Sequence, residues 1–161
     1  MWHVRGKRAQ IPTPGKNIRV AVCGAYRYPD GPFLSTFGSK SVNTDLFIPF
    51  LKLLERRVKR TGRPIVLVLD NAGYFRKAKR SKAALKKLKL QVIPFWLPRY
   101  SASKLNRIEN LWSHLKDDYF GRMLVKRRKR FTLEVVGLLN RLHRKGAIHK
   151  IFGSSLPTLP T

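Results

Sequence analysis

The amino-terminal part of the sequence changes from strand-like to helix-like spacing of its hydrophobic positions. Residues 17–26 are rich in β-branched and small apolar side chains, which predicts a strand. The turn chemistry of residues 29–31 leads into a second predicted strand over residues 33–37, so the two strands form a hairpin. Asn43 or Thr44 then caps a helix. Its apolar positions recur at helical spacing, at Leu46, Phe47, Phe50, Leu51, Leu54 and Val58.

The middle of the chain predicts two further strands that are separated by a basic helix. Residues 65–69 form a continuous apolar run, Ile-Val-Leu-Val-Leu, which is bounded by Pro64 and Asp70. A short β-branched run of this kind predicts a strand that is buried on both faces. Residues 76–89 carry alanine and leucine at helical spacing among many lysines, and residues 90–95 predict the next strand.

Helices dominate the carboxyl-terminal part of the chain. A loop is predicted over residues 97–101, a helix with an apolar stripe over 106–119, a last helix over 132–145 and a polar tail over 153–161. The order β-β-α-β-α-β-α-α predicts a mixed α/β sheet with helices on its faces. In such sheets, functional residues tend to lie at the carboxyl ends of the strands.

The composition adds a strong positive charge to this picture. The chain of 161 residues has 35 lysines and arginines against 8 aspartates and glutamates, a formal net charge of +27. This excess predicts a polyanionic partner, most often nucleic acid, and argues against an ordinary acidic metabolic enzyme. The single cysteine, Cys23, excludes an intrachain disulfide, and we expect it to be a small buried hydrophobe. Because there is no long apolar run and no signal peptide, we expect an intracellular protein without a membrane partner.

Two carboxylates are candidates for chemistry. Asp70 follows the most apolar predicted strand, and Glu109 lies in the first turn of the helix over residues 106–119. Each also has a structural explanation, Asp70 as a turn residue and Glu109 as a partner of the helix dipole or of Arg107. Carboxylates from a strand end and a later helix can converge in an α/β fold, where their hard oxygens hold Mg²⁺ or Mn²⁺. Such metals activate a water or a 3′-hydroxyl for attack on a phosphodiester.

Two basic segments are candidates for phosphate contacts, which supply affinity without sequence information. The first lies on the predicted basic helix, and the second is a run of cations between two predicted helices. A solvated loop is the alternative for the second segment. The candidates are Arg76, Lys77, Lys79, Arg80, Lys126, Arg127, Arg128, Lys129 and Arg130.

Two sequence motifs resemble those of a known family. Residues 67–72, Leu-Val-Leu-Asp-Asn-Ala, resemble the second-aspartate motif of DDE transposases of the mariner-like superfamily, in its bacterial insertion-sequence branch. Residues 97–101, Leu-Pro-Arg-Tyr-Ser, and residues 105–112, Leu-Asn-Arg-Ile-Glu-Asn-Leu-Trp, resemble the third motif of the family. The separation of Asp70 and Glu109 also suits the family.

The resemblance implies an RNase H-like fold, a mixed sheet flanked by helices, over residues 1–120. A basic segment, a terminal helix and a tail would follow over residues 121–161. It also implies a metal-dependent transposase that cuts the ends of its element and joins them to target DNA. Asp70 and Glu109 would then be the second and third catalytic carboxylates, with Mg²⁺ or Mn²⁺ as cofactor. The partners would be DNA and a second copy of the chain, and the location the bacterial cytoplasm, at the nucleoid.

The chain departs from the family pattern most strongly at its amino terminus. The first catalytic aspartate of the family lies on the first strand, upstream of a Trp-x-x-x-Gly stretch that is residues 2–6 here, so strand and aspartate would precede Met1. A family histidine is also replaced near Phe75, and family prolines are replaced at Arg99, Ala102 and Arg107. We therefore expect a sheet without its first strand and a chain that is inactive alone, of low stability and prone to associate through open sheet edges.

A second hypothesis treats the chain as a non-catalytic basic nucleic-acid-binding protein, in which Asp70 and Glu109 only stabilise the fold. Such a protein would bind DNA or RNA equally well in the presence of a chelator and would never nick it. A different RNase H-like nuclease, such as a resolvase, is disfavoured by the Leu-Asn-x-Ile-Glu stretch over residues 105–109.

Overall fold

Short strands alternate with helices in the computed structural model, which describes residues 18–27, 31–38, 41–120, 123 and 127–144. In these residues helices flank the sheets, so the predicted mixed α/β class is confirmed. None of the helices described is long and apolar enough to cross a membrane. The elements are β1 (Ala21–Tyr26), β2 (Phe33–Gly38), α1 (Thr44–Thr61), β3 (Ile65–Leu69), α2 (Gly73–Arg76), α3 (Lys79–Lys87), β4 (Val92–Trp96), α4 (Ala102–Leu105), α5 (Arg107–His114) and α6 (Arg128–Leu142).

The predicted hairpin is formed by β1 and β2, which pair antiparallel from Ala21 opposite Gly38 to Tyr26 opposite Phe33. The first strand begins at Ala21, later than predicted, and residues 28–30 of the connecting turn lie outside the described residues. Gly24 is required in β1 because a Cβ at this position would lie 2.6 Å from Cζ of Phe33. The Phe33 ring can therefore pack directly on β1, where it is fully buried.

Helix α1 is capped at both ends, by the side chain of Asn43 and by the backbone of Gly62. The Asn43 Oδ1 accepts a hydrogen bond from the Leu46 N–H at 3.1 Å, which confirms Asn43 as the predicted cap. Gly62 ends the helix in the left-handed region, with φ 66°, and its N–H donates to the Val58 carbonyl at 2.8 Å. The buried face of the helix matches the predicted apolar stripe, with Phe47, Phe50, Leu51, Leu54 and Val58.

The β3 and β4 strands pair in parallel, from Ile65 opposite Val92 to Leu69 opposite Trp96. The prediction that residues 65–69 are buried on both faces is wrong, because Val66 and Val68 are 62% and 45% exposed. Helices α1 and α3 cover only one face of this sheet, on which Leu67 and Leu69 are buried. A continuous apolar run does not reveal which of its faces a neighbouring element covers.

The predicted basic helix over residues 76–89 is shorter, α3 over Lys79–Lys87, and Arg76 belongs to the preceding short helix α2. Ser81 explains the break, because its hydroxyl donates to the Tyr74 carbonyl at 2.6 Å and its side chain is fully buried. This contact folds α3 back against α2 and places Leu85 in the core. Arg76 consequently lies at the end of α2 rather than at the start of the basic helix.

The carboxyl-terminal helices also differ in their bounds from the prediction. The helix predicted over residues 106–119 is α-helical only over α5, and Leu115–Phe120 continue it as a π-helix. The short helix α4 was not predicted. Helix α6 begins at Arg128, ahead of the predicted start at residue 132, so part of the basic run is helical.

Two hydrophobic clusters hold these elements together. The first lies between α1, α3 and the sheet of β3 and β4, and it also includes Cys23 of β1. The second joins the hairpin to α5 and α6, where Phe33 and Leu111 meet Leu138 and Leu142. Helix α6 therefore belongs to the same core as the elements that precede residue 120.

A cleft separates the two sheets, each of which has two strands. A cavity of about 1390 Å³ is lined by the whole of β1 and the whole of β3. In the part of the chain that the structure describes, β1 pairs only with β2 and β3 only with β4, so both strands have an open edge. A mixed sheet that lacks an inner strand has this arrangement.

Candidate active site

Asp70 lies at the carboxyl end of β3, as predicted. Its Oδ1 accepts a hydrogen bond from the Ala72 N–H at 3.1 Å, so the structural role as a turn residue is real. A carboxylate has acceptor capacity for several further partners. The turn therefore fixes the side chain of Asp70 at the strand end without exhausting its ability to bind a cation.

Glu109 lies in the first turn of α5, as predicted. Asn106 precedes the helix, and its carbonyl accepts the N–H of Glu109 at 2.9 Å. The position suits an acidic side chain, because the amino-terminal end of a helix carries partial positive charge. The side chain of Glu109 is half-buried and lines the same cavity as Asp70.

Asp70 and Glu109 interact electrostatically across the cavity that both line. Burial raises the pKa of Glu109, the negative charge of Asp70 raises it further, and Lys116 partly opposes this change. The pKa of Tyr74 is raised to about 12, first by burial and then by Asp70, Cys23 and Glu109. Asp70, Glu109 and Tyr74 therefore line the same cavity, and the charges of the two carboxylates act on each other or on the Tyr74 phenol.

The donor chemistry of this pair fits a hard divalent cation. Both side chains offer carboxylate oxygens, and their mutual repulsion is a cost that a bound cation would offset. No group of three or more histidine, cysteine, aspartate or glutamate residues that could hold a metal is present among the described residues. The pair suits Mg²⁺ or Mn²⁺, because Mg²⁺ is commonly held by one or two carboxylates and keeps several waters.

Asn71 connects the strand ends beside the carboxylates. Its amide Nδ2 donates to the Leu97 carbonyl at 2.5 Å, which ties the end of β3 to the loop after β4. Its Oδ1 accepts a hydrogen bond from Nη1 of Arg76. The Arg76 guanidinium also lies over the ring of Trp96, 5.9 Å from the ring centroid. In the sequence, Asn71 was apparent only as part of the second-aspartate motif, and Trp96 was not apparent.

The predicted basic residues near α3 have different surroundings. Arg80 is paired with Asp45 of α1, with 2.7 Å between Nη1 and Oδ1, a contact that the sequence did not indicate. Lys77 and Lys79 are exposed, as is Arg76. The four side chains therefore do not form one uniform cationic surface, because the charge of Arg80 is paired with an acid.

The described residues of the second basic segment do not line the cavity of the carboxylates. Lys126 falls outside the described residues, and Arg127 immediately precedes α6. Arg128, Lys129 and Arg130 are exposed in the first turn of that helix, so the loop interpretation is wrong for these three. None of the residues from 127 to 130 lines the cavity that contains Asp70 and Glu109.

Cys23 and Phe75 both contribute to the first hydrophobic cluster. Cys23 is 5% exposed, which confirms it as a small buried hydrophobe, and burial raises its pKa to about 12. Phe75 packs against Phe47, with ring centroids 4.5 Å apart. The side chain at this position therefore stabilises α2 on α1.

Comparison with known proteins places the chain in a family. The profile of the DDE superfamily endonucleases matches residues 1–132, and the chain belongs to that family. Endonucleases of this superfamily are generally dependent on divalent metals. A curated relative, the insertion element IS630 uncharacterized 39 kDa protein of Shigella sonnei, is 33% identical over 117 residues. The match covers 72% of this chain and 32% of the relative, so the chain spans about a third of that protein.

A solved structure is also similar to the chain in outline. It is the cryo-EM structure of a simian T-cell lymphotropic virus intasome in complex with the PP2A regulatory subunit B56 gamma. The match covers 94% of this chain and 60% of that chain, with 12% sequence identity and a TM-score of 0.38. A TM-score of this size supports no conclusion about function.

Proposed function

We propose that the chain is the carboxyl-terminal part of the catalytic domain of an insertion-element transposase, which cleaves DNA at the element ends and transfers the strands to target DNA. The observation that carries the proposal is that Asp70 and Glu109 line one cavity and that the charge of Asp70, after burial, raises the pKa of Glu109. Membership of the DDE superfamily endonucleases supports the reaction class. The resemblance of the two carboxylate motifs supports RNase H-like topology over residues 1–120, with residues 121–161 as a basic segment, helix and tail.

In this proposal Asp70 and Glu109 hold Mg²⁺ or Mn²⁺. The bound cation would supply charge stabilisation at the phosphodiester and activation of the attacking hydroxyl. The chain contributes the orientation of the ligands. The Ala72 N–H fixes Asp70, and α5 presents Glu109 from its first turn. The half-buried setting strengthens the interaction of both carboxylates with a cation relative to water.

The open cleft accounts for the expected inactivity of the chain by itself. A strand that carries a third carboxylate would fill the space between β1 and β3 and would complete the cation site. Only two carboxylates are close together in the residues described, and a metal held by so few ligands is held weakly. We propose that the missing ligand comes from a segment of the longer protein.

DNA is the proposed partner because the net charge of +27 must be offset in any compact assembly. Lys77 and Lys79 near the site, and the cations of residues 126–130, would contact phosphates. The bacterial cytoplasm, at the nucleoid, is the proposed location. Self-association through the open edges is part of the same proposal.

The test is nicking of supercoiled plasmid by the longer protein in Mn²⁺, with Asp70→Asn and Glu109→Gln as the variants. We expect each to lower the nicking rate by about a hundred-fold or more, since each removes charge that acts on the transition state. Asp117→Asn, an exposed acid after α5, is the matched control and should nick like the parent. Equal nicking by all four proteins, or persistence of nicking in a chelator, would overturn the proposal.

A further inference from the structure

One arginine beside the carboxylates is held in a fixed position without an acid. Arg76 donates through Nη1 to the Asn71 Oδ1, and its guanidinium lies 5.9 Å from the centroid of the Trp96 ring. Asn71 is itself tied to the Leu97 carbonyl. The Arg76 side chain is therefore anchored to the ends of two adjacent parallel strands, β3 and β4.

The anchoring leaves most of the guanidinium available. An arginine has five N–H donors in a planar fork, and the Asn71 contact uses Nη1. The salt bridges of Lys59 with Glu55 and of Arg80 with Asp45 do not involve Arg76. The side chain is exposed. A guanidinium that is oriented by neutral partners keeps its full charge for an external anion.

The position of this guanidinium relates it to the candidate metal site. Asn71, which orients Arg76, is the residue directly after Asp70. Arg76 and Asp70 are therefore linked by one amide side chain and one peptide bond. An anion bound by Arg76 would lie at the same end of β3 as the carboxylate pair.

We propose that Arg76, oriented by Asn71 and Trp96, is a receptor for one phosphodiester of the DNA strand next to the carboxylate pair. This inference rests on the proposed function, since it takes DNA as the ligand. Arg76 is a positioning residue: it holds the strand by a phosphate and sets the register in which the neighbouring phosphodiester meets Asp70 and Glu109. Lys77 and Lys79 contribute charge but no fixed geometry.

The proposal predicts that charge alone cannot replace Arg76. The planar fork binds two phosphate oxygens and stacks on an aromatic ring, whereas a lysine ammonium is a point charge on a flexible stem. Arg76→Lys should therefore behave like Arg76→Ala. A cation that acts only through the general field would instead be replaced by lysine without loss.

The experiment measures binding of a fluorescein-labelled DNA duplex to the full chain by fluorescence anisotropy, over a series of salt concentrations. The variants are Arg76→Ala, Arg76→Lys and the matched control Lys77→Ala, which removes the same charge one residue away. Circular dichroism and thermal unfolding verify that each variant is folded. We expect about a ten-fold rise in Kd for both Arg76 variants and about a two-fold rise for the control.

The outcomes separate this inference from the function on which it rests. If Arg76→Ala matches Lys77→Ala and Arg76→Lys binds like the parent, Arg76 is one surface charge among many and the inference is wrong. If the parent chain binds no DNA at any salt concentration, the proposed function fails together with the inference. If the Arg76 variants lose affinity as expected, the phosphate receptor is supported whatever the nicking assay shows.

Discussion

Asp70 shows that a structural role and a chemical role can share one side chain. Its hydrogen bond to the Ala72 N–H stabilises the turn after β3, and the same bond fixes the carboxylate beside Glu109. The partial positive charge at the amino terminus of α5 stabilises the ionised form of Glu109. Burial and the charge of Asp70 destabilise the same form. From the sequence, each of the two residues taken alone has a sufficient structural explanation. The structure adds that the two carboxylates line one cavity and interact electrostatically.

Replacement of Glu109 by glutamine should change how stability depends on pH. Burial and Asp70 raise the Glu109 pKa from its ordinary value of 4.5, so ionisation costs the folded state free energy. The cost is absent below pH 4.5, grows as the pH rises through the raised pKa, and stays at higher pH. Glu109→Gln should gain stability relative to the parent between pH 4 and pH 7, by less than about 1 kcal/mol because water screens a half-exposed carboxylate.

The measurement is urea unfolding of parent and variant across this pH range. Asp70→Asn supplies the control, since it removes the neighbouring charge that is the second cause of the raised pKa. In the Asp70→Asn background, the pH-dependent gain from Glu109→Gln should be smaller. A gain that is the same in both backgrounds would mean that the two carboxylates do not interact.

Single elements were predictable where local chemistry fixes them. The start of α1 follows from Asn43 and its end from Gly62, and both act as local sequence rules require. The break between α2 and α3 was not predictable, because it depends on the burial of Ser81 against Tyr74. The exposed face of β3 was not predictable either, since it depends on which elements cover the sheet.

Replacement of two glycines by alanine, one at the end of a helix and one inside a helix, should change the free energy of unfolding in opposite directions. Gly62 has φ 66° at the end of α1, where an L side chain is strained, so Gly62→Ala should lower the free energy of unfolding by about 1 kcal/mol. Gly137 lies inside α6, and a Cβ there meets no atom within 4 Å. Gly137→Ala should raise the free energy of unfolding by up to about 1 kcal/mol. Chemical denaturation compares the two, and a shift of the same sign in both would contradict the assigned backbone roles.

At the level of the complete chain, the open sheet edges favour self-association and the positive charge favours DNA binding. The sequence and its family resemblance predicted a sheet without an inner strand, and the described residues form two sheets across a cleft. The sequence did not show that the cleft is flanked by two separate hydrophobic clusters. Helix α1 packs on both sheets, and the first cluster joins Cys23 of β1 to Leu67 and Leu69 of β3, so the two parts hold together despite the open edges.

Hydrogen exchange should reveal the open edge of β3. The Ile65 N–H donates to the Gln91 carbonyl at 2.8 Å, so every second amide of this strand faces β4. The amides of Val66 and Val68 then face the cleft. We expect them to exchange faster than those of Leu67 and Leu69 by about ten-fold or more, in amide exchange followed by NMR. Equal protection along the strand would mean that the edge is covered in solution.

The most direct test of the central claim is the location of a bound divalent cation. Sub-stoichiometric Mn²⁺ broadens the amide NMR signals of residues near its binding site, even when affinity is low. We expect broadening centred on the amides around Asp70 and Glu109, and its loss in Asp70→Asn and in Glu109→Gln but not in Asp117→Asn. Broadening centred on other acids, or unchanged broadening in the Asp70 variant, would contradict a metal-dependent catalytic site at the end of the cleft.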